Sequence, residues 1–170
     1  MPTDLPDWLR AAPPNAGLEA VAALPGERLL LLTEGLVTGG GTLRAALLED
    51  GRFLPLRYPT DGGFVPVGAD AVANTVYVLE RRFSLFGGFV ARIRILELPL
   101  RPAAESLLAP RILARLDPPL PEENFEAIAV RPRGAGELEI HLLSDDNFSP
   151  LQATLLLRLL HRPRRESRSD

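Results

Sequence analysis

Six oxygen-bearing side chains and two arginines are the residues of this sequence best suited to chemistry. Glu19, Glu34, Glu126, Asp145, Asp146 and Asn147 offer the carboxylate and amide oxygens that a hard cation such as Ca²⁺ collects, roughly six to eight at a time. A metal held in this way activates water for attack on an ester or phosphoester bond. Arg81 and Arg82 bring paired N–H donors that suit phosphate or carboxylate groups on a small anionic or ester substrate. Each set also has a plain structural alternative. Ser144 to Asn147 reads equally as an Asx-rich turn whose side chains bond nearby amides. For Arg81 or Arg82, a salt bridge to Glu80 or Asp145 is the simpler role.

What brings the acids together is a pattern that occurs twice. Residues 17–25 read GLEAVAALP and residues 124–132 read NFEAIAVRP. Each copy passes through a short turn into an apolar run that ends in hydroxyl and acid residues, LLLLTEG at 29–35 and EIHLLSDDN at 139–147. Antiparallel pairing about Gly134–Ala135–Gly136 sets Glu126 opposite Leu143 or Ser144, and pairing about Pro25–Gly26–Glu27 sets Glu19 near Thr33 and Glu34. The acids therefore fall at the same end of both hairpins. A weaker third copy runs from Phe64 to Arg82 and ends at Glu80, with Val65 or Pro66 where the incoming glutamate is expected.

Short β-branched or leucine-rich runs between turn signals predict an all-β chain. Strands are expected near 18–24, 28–33, 43–48, 53–57, 75–80, 90–97, 111–115, 125–131, 138–143 and 153–160. VARIRILE at 90–97 alternates as a half-buried strand does, and Pro102 opens a candidate helix over 102–108. The hairpins and the strands that follow them predict three consecutive blades of about four strands each. Residues 1–14 read as a lead-in. Residues 162–170, without an apolar residue, read as a disordered basic tail.

Composition narrows the classes. A chain of 170 residues with 46% hydrophobic and 24% charged residues builds one domain with a real core. A net charge of −3 argues against a nucleic-acid binder, and all nineteen cationic residues are arginine, a bias expected of a GC-rich genome. With no cysteine, disulfides, zinc–thiolate sites and cysteine nucleophiles drop out together. No run is long and apolar enough to span a bilayer, and the N-terminus lacks the pattern of a secretory signal, so the chain as written is expected to remain in the cytoplasm. There is no G-x-S-x-G, H-E-x-x-H or P-loop pattern. His141 falls inside a strand, His161 borders the tail, and Ser144 and Ser149 have no base in evident reach. The glycines at 39–41 have no helix after them and read as a loop.

NFEAIAVRP followed by LLSDDNFSPLQATLLL resembles the C-terminal signature of the phytase-like propeller family, known as "esterase-like activity of phytase". LERRFSLFGGFVARIRILEL at 79–98 and LPDWLRAAPPNAGLEAVAALP at 5–25 resemble earlier blades of that family. The SDDNFSPLQ and ERRFS strings are the specific part, and the hairpins are generic. Ala127 stands where the family pattern has a glycine. The resemblance implies a propeller fold and hydrolysis of an ester or phosphoester. Family members are usually exported, about twice this length, and form a complete ring. The expectation is therefore half of a six-bladed propeller over 15–161, with a homodimer as one way to complete the ring. The alternative is a non-catalytic module for binding or assembly, or an inactive piece of a longer enzyme.

Overall fold

The structure is a computed structural model that describes residues 5–14, 16–85, 88–134 and 136–162. The expected tail lies, from residue 163 onward, outside the described residues, and so does Ala135 of the predicted turn. The described chain is all-β apart from a four-residue helix, α1 (Asp7–Arg10). It forms three antiparallel sheets. The first holds β1 (Leu18–Leu24), β2 (Arg28–Val37), β3 (Leu43–Glu49) and β4 (Arg52–Tyr58), in that spatial order. The second holds β5 (Val65–Val72), β6 (Thr75–Ser84), β7 (Gly88–Glu97) and β8 (Arg111–Arg115). The third holds β9 (Phe125–Arg133), β10 (Glu137–Ser144) and β11 (Leu156–His161). Within each sheet every strand pairs with its neighbour in sequence.

The second sheet lies between the other two, and both of its faces are covered. Successive side chains of a strand point to opposite faces. Val76 and Val78 of β6 accordingly enter a core shared with Leu30, Leu32 and Leu56 of the first sheet. Tyr77 and Leu79 enter a second core, shared with Phe125, Ile140 and Leu142 of the third. This corrects the expectation for 90–97. Alternation there does not mark a solvent face, because Arg92 and Arg94 are buried against the first sheet while Ile93 and Ile95 are buried against the third.

β5 is the incoming strand implied by the third hairpin copy but has no place among the expected strand positions, because GADAV carries small residues and little β-propensity. Its smallness serves packing. β5 lies between β1 and β9, and a Cβ on Gly68 would stand 3.1 Å from the Glu126 carbonyl oxygen and 3.3 Å from the Ile128 nitrogen. Only glycine lets the two backbones approach so closely without a shift.

The candidate helix over 102–108 does not form. The open edge of β4 takes that segment's backbone groups instead: Glu105 N–H donates to the Pro55 carbonyl at 2.7 Å, Arg57 N–H to the Ser106 carbonyl at 3.0 Å, and Leu108 N–H to the Arg57 carbonyl at 2.8 Å. A run this short gains little from helical bonds, and covering a strand edge satisfies both partners. The third sheet has three strands among the described residues, with β11 beginning at Leu156 and not near 153.

Candidate functional site

All three inner hairpins break register at the same place. Leu18 pairs with Thr33 and Ala20 with Leu32, which leaves Glu19 at a bulge. Phe125 pairs with Ser144 and Ala127 with Leu143, which leaves Glu126 in the same position. In the second sheet Pro66 pairs with Glu80 and Gly68 with Leu79, so Val67, and neither Val65 nor Pro66, stands where the others have glutamate. A bulge re-aims the side chain it carries and often sits beside a functional site. The register also makes Thr33, Glu80 and Ser144 counterparts. One residue further on, Glu34, Arg81 and Asp145 are counterparts as well.

Thr33, Glu80 and Ser144 all point inward and are buried. The hydroxyls of Thr33 and Ser144 donate to the carbonyls of Arg44 and Ala153, at 2.7 and 2.6 Å. Glu80 therefore does not close its hairpin as a surface acid, and it forms no salt bridge with Arg81 or Arg82. Its carboxylate accepts from Tyr58 Oη at 2.7 Å and from Arg92 Nε, with Arg94 Nη1 at 3.4 Å. Arg92 also reaches out to Asp61 at 2.8 Å and lies 4.0 Å from the centre of the Phe64 ring. Burial, and then the Glu80 charge, push the Tyr58 phenol above its ordinary pKa. The hydrogen bond from Arg92, with its charge, holds the Asp61 carboxyl below its ordinary value. Among the described residues Arg92 Nη2 and Arg94 Nε have no hydrogen-bond partner.

The rim cluster is built differently. Arg81 stands among acids contributed by both flanking sheets. Its Nη1 donates to Glu126 Oε1 at 2.7 Å and to the Asn124 side-chain oxygen, while Nη2 is 3.7 Å from Glu34 Oε1. The guanidinium also lies 5.4 Å from the centre of the Phe89 ring. Asn124 is buried and donates its amide to Glu126 Oε1 at 2.9 Å and to the Asp145 carbonyl at 3.3 Å, fixing the cluster to the end of β10. The Glu34 carboxyl is raised above its ordinary pKa. Burial is the main cause and the charges of Glu19 and Glu126 add to it, against a lowering by Arg81. Glu19, Glu34, Glu126 and Arg81 thus form one electrostatic unit.

The remaining expected ligands do something else. Asp145 Oδ1 accepts from the Asn147 N–H at 3.1 Å and Asp146 Oδ1 from the Phe148 N–H at 2.9 Å, the bonding of an Asx turn. The Asn147 amide donates to Gln152 at 2.9 Å. Arg82 faces away from the cluster, over the Phe64 ring and toward the Gly62 carbonyl. Arg81 lies between Glu34 and Glu126, and among the described residues no set of three or more acids or histidines is placed to hold a metal. Beside the cluster, Glu126, Asp145, Leu143 and Thr154 line a shallow depression of about 350 Å³.

A family model for phytase-like proteins, described as esterase-like activity of phytase, matches residues 1–148. The chain belongs to that family. The match takes in the first two sheets, β9, β10 and the Asx turn, and it ends before β11. No curated protein and no solved structure matches the chain.

Asn124 did not stand out in the sequence, although it opens one of the two matching strings. Its counterpart in the other string is Gly17, whose backbone carbonyl accepts from Glu34 N–H as that of Asn124 accepts from Asp145 N–H. An amide replacing a glycine at the head of a matching strand was the available signal.

Proposed function

We propose that this phytase-like chain supplies three blades of a β-propeller and hydrolyses an ester or phosphoester bond at the rim where Glu34, Arg81 and Glu126 meet. One observation carries this reading. Three register-equivalent positions bring acid, arginine and acid to the same end of three neighbouring sheets, next to the two bulge glutamates. Family membership supports the reaction class but does not supply the mechanism.

The residues suit such a reaction. A carboxyl whose pKa is raised by burial and neighbouring charge is matched to proton transfer nearer neutral pH. Glu34 is that carboxyl. Arg81 is held on one side by Glu126 and Asn124, and its Nη2 lies beyond hydrogen-bond distance of Glu34. Those N–H groups are free to take an anionic oxygen of the substrate or of its transition state. Glu34 then takes a proton from the water that bonds to the ester carbon or phosphorus, and returns it to the leaving alcohol oxygen as the ester C–O or P–O bond breaks.

The test is turnover of 4-nitrophenyl acetate and 4-nitrophenyl phosphate by the folded protein. Loss of turnover in Glu34→Gln and Arg81→Gln, with the melting temperature kept within a few degrees, supports the reading. Turnover that survives both substitutions places the chemistry elsewhere. No turnover of any ester leaves the alternative of a binding or assembly module.

Calcium is a second reading, favoured by the charge balance: three carboxylates face one guanidinium, and the charges of Glu19 and Glu126 add to the burial that raises the Glu34 pKa. An ion at this rim would have to displace Arg81. The cofactor is therefore tested by whether Ca²⁺ raises the melting temperature, and whether Glu126→Gln removes that rise.

A further inference from the structure

The two outward faces of the three-sheet stack are the two halves of a contact that the molecule already makes twice within itself. The register defines a forward and a rear face for each sheet. Leu32, Leu79 and Leu143 are counterparts on the forward faces. Leu32 packs toward the second sheet and Leu79 toward the third, and both are 0% exposed, whereas Leu143 is 45% exposed. Its cross-strand partner Leu156 is 69% exposed, while Ile93, which holds the matching place beside Leu79, is buried.

The rear faces behave in the same way. Val21, Ala69 and Ile128 are counterparts, one residue past each register pair just described. Ala69 packs on the core shared with the first sheet and Ile128 on the core shared with the second. Val21 is 46% exposed, while its neighbours on that face, Leu31 and Ala46, are buried and the Arg44 guanidinium lies 5.9 Å from the centre of the Trp8 ring.

We propose that a second copy of this chain occupies both faces. The forward face of the third sheet, at Leu143 and Leu156, packs on the rear face of the partner's first sheet at the Val21 position, and the same contact recurs across a two-fold axis to close six sheets. The argument is continuity: one face-to-face contact is used between sheets one and two and again between two and three, and the third use needs a first-sheet rear face. The chain itself offers that face, open at Val21, once per copy. Charge does not oppose it. On the forward face of the third sheet Glu139 already holds His141 at 3.4 Å and Arg158 at 3.3 Å, and the contact between sheets one and two already buries a glutamate with two arginines.

This inference rests on reading the sheets as blades, and is independent of any chemistry at the rim. Light scattering at micromolar concentration should give twice the chain mass of 18.5 kDa. Leu143→Arg and Val21→Arg should each give a folded monomer by circular dichroism, while Leu100→Arg, on an exposed loop, should stay dimeric. Mixing the Leu143→Arg and Val21→Arg chains should restore part of the dimer, since a mixed pair keeps one undamaged contact. That recovery also rules out simple misfolding of either variant. A monomeric wild type overturns the proposal, as does a dimer indifferent to both substitutions, or assembly that needs a different polypeptide carrying further sheets.

Discussion

Two clusters of arginine and acid lie on adjacent residues of β6 and have opposite characters. At Glu80 the charges are sealed between two sheets: Glu80 is 0% and Arg92 2% exposed, and the surface is reached only through Asp61. At Arg81 the ions sit at a rim, with Glu126 and Glu34 partly open to solvent. One step along a strand turns a side chain from one face to the other, so neighbouring residues divide between a sealed contact and a solvent-open rim. Charged residues in a cluster do not by themselves identify a site. Access does, together with the spare capacity of the donors.

The comparison breaks most sharply at Glu80. Glu80→Gln leaves Arg94 buried without a counter-ion and Arg92 with Asp61 alone, and is expected to cost about 3–5 kcal/mol, because removing one partner of a buried pair strands the other's charge. Urea denaturation measures it, and a loss below about 1 kcal/mol would mean that the network is wet. Arg81→Gln should cost only about 1 kcal/mol in the same assay, since its partners are partly solvated. If its cost equals that of Glu80→Gln, the rim cluster is structural and its proposed role in catalysis loses support.

A smaller effect separates the clusters by pH. The Glu34 carboxyl is raised above its ordinary value of 4.5, so the folded chain keeps a proton that the unfolded chain has lost. Stability from this group therefore falls as pH rises from that value through the folded pKa, then levels off. Glu34→Gln should flatten that part of the profile in melting experiments, and an unchanged profile would show that the crowding of carboxylates is relieved in solution.

The smallest effect belongs to Asp61, whose carboxyl is lowered from 3.8 by its hydrogen bond with Arg92. Its contribution is present above 3.8 and disappears as pH falls through the folded value. Asp61→Asn should remove that acid-limb loss and leave stability near neutrality changed far less than Glu80→Gln does. A matching loss at neutral pH would make Asp61 an equal member of the buried network.

Much of the arrangement was legible in the residues. Ten of the eleven strands, the two hairpins and the convergence of Glu19, Glu34 and Glu126 at one end follow from alternation, turn residues and antiparallel counting. Those rules are local: a period of two fixes which side chains share a face, and a turn fixes which residues lie opposite. β5 escaped them because its small residues answer to the backbones on either side, with Gly68 against Glu126, and not to its own hairpin. The candidate helix over 102–108 does not form for a related reason, since the β4 edge that takes up its backbone lies some fifty residues earlier in the chain.

What covers a face is not written in its period. Arg92 and Arg94 alternate with apolar residues just as solvent-facing arginines would, and only the stacking of the first sheet on the second makes them a buried pair for Glu80. Arg81 likewise became the centre of the rim because two other sheets bring Glu34 and Glu126 to it. The sequence by itself determined strands, register and the end of the hairpins at which the acids gather. Tertiary structure decided which charges are sealed and which are open, because burial and charge pairing depend on contacts between sheets that no single hairpin contains.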